Sequence, residues 1–438
     1  MVSTLNIDGK SCYSIASELY PVFRSITGQG VRDTLYILKK YAPMLTTYSV
    51  KSGTEVFDWT VPPEWNCYEC YIEDADGNRL IDFRNNGLHV LGYSCPVDKW
   101  MKYSELKNYL YVQSNQPDVI PYVTSYYEKR IGFCLSVRQM EKLASYGEDY
   151  EFHAVIKSEF NPDGVLNYGE FVLEGESEKE ILISTYICHP FMANNECSGP
   201  ALSVVLANYL KSQKRKYTYR FVFIPETIGS ITYISQKLDV LKKNVVAGFV
   251  LSCVGDDNAY ALVRTRYGNT LSDRVMENVL RFDAPNFRNC SFLERGSDER
   301  QYNAPGVDLP VCGFCRSKYG TFPEYHTSKD DLSYISEKGF DGALNVLKKA
   351  IAVIENNDYY RINVLCEPQL GKRSLYPTIS QKGVHGHVMA MRNFIAYADG
   401  KNDLLDISNI IGIPAFDLIK IKEKLAEKGL LSVVKERK

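Results

Sequence analysis

The spacing of apolar and polar positions changes as the chain is followed from its start. In 11–44, "SCYSIASELYPVF" and "GVRDTLYILKKYAP" place apolar residues three and four apart, which predicts two helices joined by a turn at "RSITGQG". From about 45 to 155 the spacing becomes alternate, as in "TTYSVKSGTEVFDWTVP" and "WNCYECYIEDADGNRLIDF", with "DADGNR" as a hairpin signal. From 180, apolar strand-like runs alternate with helix-like ones: "EILISTYIC", "GPALSVVLANYLKSQ", "YTYRFVFIPE", "SITYISQKLDVLKK", "VVAGFVLSCVG". Strands this apolar are buried on both faces, and their alternation with helices predicts parallel strands with crossover connections. Beyond about 375, a short helix, a turn with Gly412 and Pro414, a second helix, Gly429 and a strand resemble a winged helix-turn-helix.

The expected fold is therefore α/β: a doubly wound, mostly parallel sheet with an inserted β-rich domain and a C-terminal winged helix-turn-helix domain. The expected boundaries are 1–45 with 156–375 for the α/β core, 46–155 for the insert and 376–438 for the terminal domain. The helices of 11–44 are expected to pack on the core, because their apolar faces need a large sheet to bury against.

A chain of 438 residues is too long for one ordinary core. A net charge of −2 gives no electrostatic reason for nucleic-acid or membrane-surface binding. Residues 395–438 carry eight Lys or Arg against seven Asp or Glu, a weak excess for contacting phosphates. The chain shows no signal-peptide pattern and no 18-residue apolar run, and its 12 cysteines lack paired zinc-ribbon spacing. These features point to a cytoplasmic protein with reduced thiols and no membrane partner. The insert and the terminal domain are candidate homo-oligomer surfaces.

Doubly wound sheets bind ligands beyond the carboxyl ends of their strands. One strand here runs into His189, and the next into Glu226. "LERGSDERQY" then places Asp298, Glu299 and Arg300 in a loop, and "FPEYHTSKDDL" brings His326. Arg264, Arg266, Arg300 and Tyr302 are candidate substrate contacts, the arginines for an anionic group. His385 and His387 are read as linker residues, and His89 and His153 as packing.

The order His189, "ANNECSG", "PETIG", "SDE", "YHTS" resembles the M28-type zinc aminopeptidases. More closely, the chain is similar to bacterial proteins with an aminopeptidase-like domain, the DUF4910/DUF2172 type, some encoded among polysaccharide-biosynthesis genes. The shared motifs are "RSITG" (24–28), "LHVLGYS" (88–94), "GFCLS" (132–136), "YGE" (168–170), "CHPFMANNECSGP" (188–200), "PETIGSI" (225–231), "SDERQY" (297–302) and "YHTS" (325–328). The resemblance implies His189 and His326 as metal ligands and Glu226 as the general base.

It also exposes departures. The bridging Asp of a two-zinc peptidase falls on Asn195, a ligand Glu on Thr227, and a ligand Asp on Ser252. Without those carboxylates one zinc per chain is expected, on His189 and His326 with a carboxylate from Glu196, Asp298 or Glu299. Glu196 is favoured because it lies beside the lost bridging position, and Asn195 could add its amide oxygen. The implied function is a single-zinc hydrolase cleaving an amide in a peptide or N-acylated small molecule. The alternative is a catalytically degenerate ligand-binding or regulatory protein with a winged-helix output domain.

Overall fold

The strand–helix alternation builds a mixed sheet of eight strands in the computed structural model, which describes residues 5–375 and 384–434, with backbone alone for 384–387. Its strands are β1 (Thr46–Lys51), β2 (Val165–Leu173), β3 (Glu180–Tyr186), β4 (Thr218–Ile224), β5 (Val245–Leu251), β6 (Ala261–Val263), β7 (Arg288–Cys290) and β8 (Val311–Cys315). They lie in the order β1-β2-β4-β3-β5-β8-β6-β7. The central strands β4, β3, β5 and β8 are parallel. β1, β2 and β6 run antiparallel to their inner neighbours. Every residue of β3 and β4 is buried, as continuous apolar runs require.

Helices cover both faces. On one side lie α1 (Gly9–Leu19), α2 (Gln29–Tyr41), α3 (Ser198–Lys211), α5 (Leu271–Asp283) and α6 (Glu337–Asn356). Their apolar stripes, including Ile15, Leu35, Val205, Val275 and Leu347, share one core with Phe221 and Phe249 of the sheet. The helices of 11–44 thus pack on the α/β core, as their amphipathic pattern predicts. The opposite face is covered by α4 (Ile228–Asn244) and by the β-rich region, whose Trp65 and Phe152 join Val222 and Ile231 in a second core.

The β-rich region is a four-stranded antiparallel sheet ordered 79–82, 64–73, 151–161, 97–102. The "DADGNR" turn makes the first of its hairpins, with Gly77 at φ +79°. Residues 46–51 and 359–362 differ from the expected boundaries. The first segment is β1, an edge strand of the large sheet and not part of the insert. The second pairs with Asp399–Asp403 and Leu431–Val434, so the terminal sheet recruits residues well before 376.

The terminal module contains α7 (Val384–Tyr397), α8 (Leu404–Ile411) and α9 (Ala415–Glu427). Asp403 caps α8 and Gly412 ends it at φ +71°, a left-handed position suited to glycine. No helix among the described residues is long and apolar enough to cross a membrane.

Candidate active site

The opening turn of α3 is bolted down before it presents any chemistry. Beyond β3 the chain makes a tight turn over Ala193–Cys197, and the buried Asp330 carboxylate accepts the N–H groups of Asn194 (2.6 Å) and Asn195 (2.9 Å). Asn194 then ties the turn to the loop after β5. Its amide donates to Asp256 at 3.0 Å, and its oxygen accepts from Gly255 N at 2.9 Å. The result fixes His189, Asn195 and Glu196 at the carboxyl end of β3.

His189 Nδ1 lies 2.9 Å from Glu196 Oε2, and His189 Nε2 lies 3.7 Å from Glu226 Oε2. Arg24 supports both ends of this pair. Its Nε donates to the His189 carbonyl at 3.0 Å and sits 3.8 Å from Glu196 Oε1. Burial opposes a charge on His189, but the hydrogen bond to Glu196 and the charges of Glu196 and Glu226 outweigh it and raise the pKa.

His326 faces His189 with ring centres 5.3 Å apart, and Tyr122 packs 5.1 Å from each ring. Among the described residues, the buried His326 Nε2 has no hydrogen-bond partner. Burial, and then the neighbouring His189, hold its pKa well below the ordinary value.

Glu226 follows β4, and its N–H points at Cys188 Sγ, 3.2 Å away. Burial raises its carboxyl pKa, with His189 and Arg300 opposing. The next residue, Thr227, has φ +65°, an unfavourable conformation for a β-branched residue. It is held there by Asp298, whose Oδ1 accepts from Thr227 N (2.8 Å) and Ser230 Oγ (2.7 Å). Burial and then the charge of Glu226 push the Asp298 carboxyl up to about 7.

The structure thus gathers His189, Asn195, Glu196, Glu226, Asp298, Arg300 and His326 in one region. Glu299 borders it: its Oε1 accepts from Gly296 N, Ser297 N and Tyr319, while its Oε2 has no partner. Three sequence candidates are used elsewhere. Arg264 pairs with Glu277 at 2.6 Å and Arg266 with Asp308, so both guanidinium groups are already neutralised. The fully buried Tyr302 joins the second core, its hydroxyl 2.9 Å from Ser184 Oγ. His89 is buried against the Cys134 carbonyl at 2.7 Å, and His153 sits between Glu73 and Asp98. The side chains of His385 and His387 lie outside the described residues.

Arg24, Tyr122 and Cys188 escaped the sequence reading. Cys188 carried a signal, since it adjoins His189 and a thiol is a metal donor.

The donor set suits a divalent metal. Among the described residues, Cys188, His189 and Glu196 form a buried three-donor group with ligand atoms within 4.8 Å of one another. The orphaned His326 Nε2, Asn195 Oδ1, Glu196 Oε1 and Asp298 Oδ2 add buried lone pairs that no hydrogen bond among the described residues satisfies. Native interiors seldom leave such atoms unpaired. At the positions of the missing carboxylates, Asn195 donates to the Tyr186 hydroxyl at 2.6 Å, and Ser252 Oγ lies 3.8 Å from Cys315 Sγ. Neither supplies negative charge for a second cation.

A family model described as a domain of unknown function, DUF4910, matches residues 13–357. The chain belongs to that family. A winged helix-turn-helix model matches 358–433 of this DUF4910 chain, which is the module closed by Tyr359–Ile362. The DUF4910 chain is 45% identical over 402 residues to a Clostridium acetobutylicum protein, covering 91% of each. That protein is provisionally assigned as a polysaccharide biosynthesis protein with an aminopeptidase-like domain. A crystal structure from the same species, provisionally assigned as a peptidase, matches with TM-score 0.90 and 42% identity over 97% of this chain and 96% of that one. A zinc aminopeptidase from Bacillus subtilis shares the fold, with TM-score 0.57 and 15% identity over 79% of this chain and 95% of that one.

Proposed function

We propose that this DUF4910 chain is a metal-dependent amidohydrolase with a single zinc, cleaving an amide in a peptide or N-acylated small molecule. The observation that carries the reading is the facing of His189 Nε2 by Glu226 at 3.7 Å, with the unpartnered His326 Nε2 beside them. His189 and His326 would hold the ion, with the unpartnered Asn195 Oδ1 as the third protein donor. Glu196, hydrogen-bonded to His189 Nδ1, acts as the carboxylate that fixes the ring and its tautomer. This makes Glu196 a brace for His189 where the sequence suggested a direct ligand. When bound, the cation supplies Lewis acidity and makes water a stronger acid.

Glu226 does the proton work. Its raised pKa matches a base that takes a proton from attacking water and returns it to the leaving amine. Arg24, donating to the His189 carbonyl and lying 3.8 Å from Glu196 Oε1, holds both members of the pair in place. The neutral Asn195, Thr227 and Ser252 support a second reading, a ligand-binding protein that has lost catalysis.

Metal analysis and turnover together decide between them. Purified protein is expected to hold one zinc per chain and to hydrolyse members of an N-acyl and aminoacyl amide panel. Glu226→Gln should retain the zinc and lose about 10²- to 10⁴-fold in kcat. Bound zinc with no turnover of any amide would favour the binding protein, and two zinc ions per chain would refute the single-ion site.

A further inference from the structure

Arg300 is a cation at the site that makes no ion pair among the described residues, though its charge acts on Glu226 and Asp298. It sits one residue beyond Glu299 in the short helix Glu299–Tyr302. Its Nη2 donates to Thr227 Oγ1, its Nε is buried with no partner, and among the described residues it makes no ion pair. The neighbouring arginines contrast with it: Arg24 lies against Glu196, Arg264 against Glu277 and Arg266 against Asp308. The charge of Arg300 acts on Glu226, on Asp298 and on the Tyr127 phenol. A guanidinium presents a planar fork that matches a carboxylate, and Thr227 occupies only one of its arms.

The Tyr127 phenol, on which the charge of Arg300 acts, belongs to an aromatic cluster of the insert. Tyr127 is 54% exposed and meets Trp59 edge to face at 5.4 Å, so the two rings form a lip supplied by the insert. Tyr127 lines a cavity of about 430 Å³ with Val61, Pro63, Tyr93, Tyr126 and Phe160. Tyr126 connects this cavity to the chemistry, because its hydroxyl contacts that of Tyr122, whose ring packs on both His189 and His326. A cavity of this size, mostly apolar with Glu128 and Lys129 also in its lining, fits the general form of a small-molecule site.

We infer that Arg300 binds a carboxylate of the substrate and that the Tyr126–Tyr127 cleft takes an aryl or branched alkyl group attached to it. The inference rests on the reading of this site as the substrate site. It narrows the substrate class to acidic, apolar amides and away from neutral ones.

The probes are 3-phenylpropionate and its neutral counterpart 3-phenylpropionamide, titrated calorimetrically into the full-length, zinc-loaded protein. The acid should bind about 10- to 100-fold more tightly, the worth of one or two hydrogen bonds to a charged group. Arg300→Met keeps the apolar stem and should abolish that preference. Tyr127→Ala should weaken both probes alike, and Arg266→Met, which removes an arginine already paired, should change neither. Equal binding of acid and amide by the wild type, or binding of neither, overturns the inference without need of a variant. An acid preference that survives in Arg300→Met also overturns it, since the carboxylate would then be held by the metal. Hydrolysis separates the two readings: amide turnover without an acid preference removes only the Arg300 assignment. An acid preference without turnover of any amide removes only the hydrolase.

Discussion

At the scale of single residues, the site turns on how Glu226 is held and charged. Asp298 does both: it accepts the N–H of the left-handed Thr227 and places a second buried carboxylate beside Glu226. Burial disfavours ionisation of both, and the charge of Glu226 further disfavours that of Asp298, so the pair gives up its protons at higher pH than exposed carboxyls would. In the proposed mechanism Glu226 must be ionised to act, so kcat/KM should rise with pH on an acid limb lying above the ordinary glutamate value of 4.5. Asp298→Asn keeps an oxygen for Thr227 N and Ser230 Oγ but removes the charge. Ionisation of Glu226 then meets less repulsion, and the acid limb should move to lower pH. A pH–rate profile checks this, and an unmoved or raised limb would leave Asp298 a structural role only. Much of this was legible in the sequence, because His189, Glu226 and His326 sit at strand ends or loops in a recognisable order. Arg24 and Tyr122 were not legible. They reach His189 across 165 and 67 positions of chain, and only the folded structure brings them there. Arg264, Arg266 and Tyr302 misled for the converse reason: nearness to a site in sequence does not say where a side chain points, nor whether a partner has claimed it.

At the scale of elements, the insert reaches into the core to hold His326. Ile120 N donates to Ser328 Oγ (3.0 Å), Ser328 N to the Ile120 carbonyl (2.9 Å), and Tyr122 N to the His326 carbonyl (2.8 Å). This clamp holds His326 at φ +57°, a conformation that costs free energy unless its surroundings enforce it. Combining Tyr122→Ala with Ser328→Ala should lower zinc affinity about 10- to 100-fold, the usual effect of losing groups that orient a ligand. Competition with a chelator would measure it, and unchanged affinity with a native circular dichroism spectrum would show that the clamp is irrelevant to the metal. The strand–helix order that made β3, β4 and β5 readable gave no sign of this clamp, which joins its two segments by a single bridge between Pro121 and Thr327. β1 was misassigned for a related reason. It is an edge strand with Val50 as its one buried residue, so its alternation resembles that of the insert it precedes. β6 and β7 are three residues long, too short for any period to declare itself.

At the scale of the whole molecule, the winged helix-turn-helix is joined to the α/β core by packing and not by a linker alone. Leu404, Leu418 and Leu425 belong to the same apolar cluster as Leu347, Ile351 and Ile354 of α6. Polar contacts fix the orientation: Arg274 of α5 spans Asp403 at 2.9 and 2.8 Å, and Asn278 accepts from Ala415 N at 3.1 Å. The start of α9, the end of such a helix that would enter a DNA groove, is thus held against α5. We therefore propose that the module braces the core and does not read nucleic acid, in keeping with the near balance of charge in 395–438. Ending the chain after Asn357 would bare the outer stripe of α6 and leave Tyr359–Ile362 out of its sheet. Apolar surface of that kind drives association, so the truncated protein should aggregate or remain insoluble where the full chain does not. Size-exclusion chromatography of the two forms tests it, together with anisotropy of labelled duplex DNA at low and moderate salt. A monomeric, folded truncation, or full-length binding that weakens steeply with salt, would show instead that the module is an independent nucleic-acid reader that happens to rest on the core.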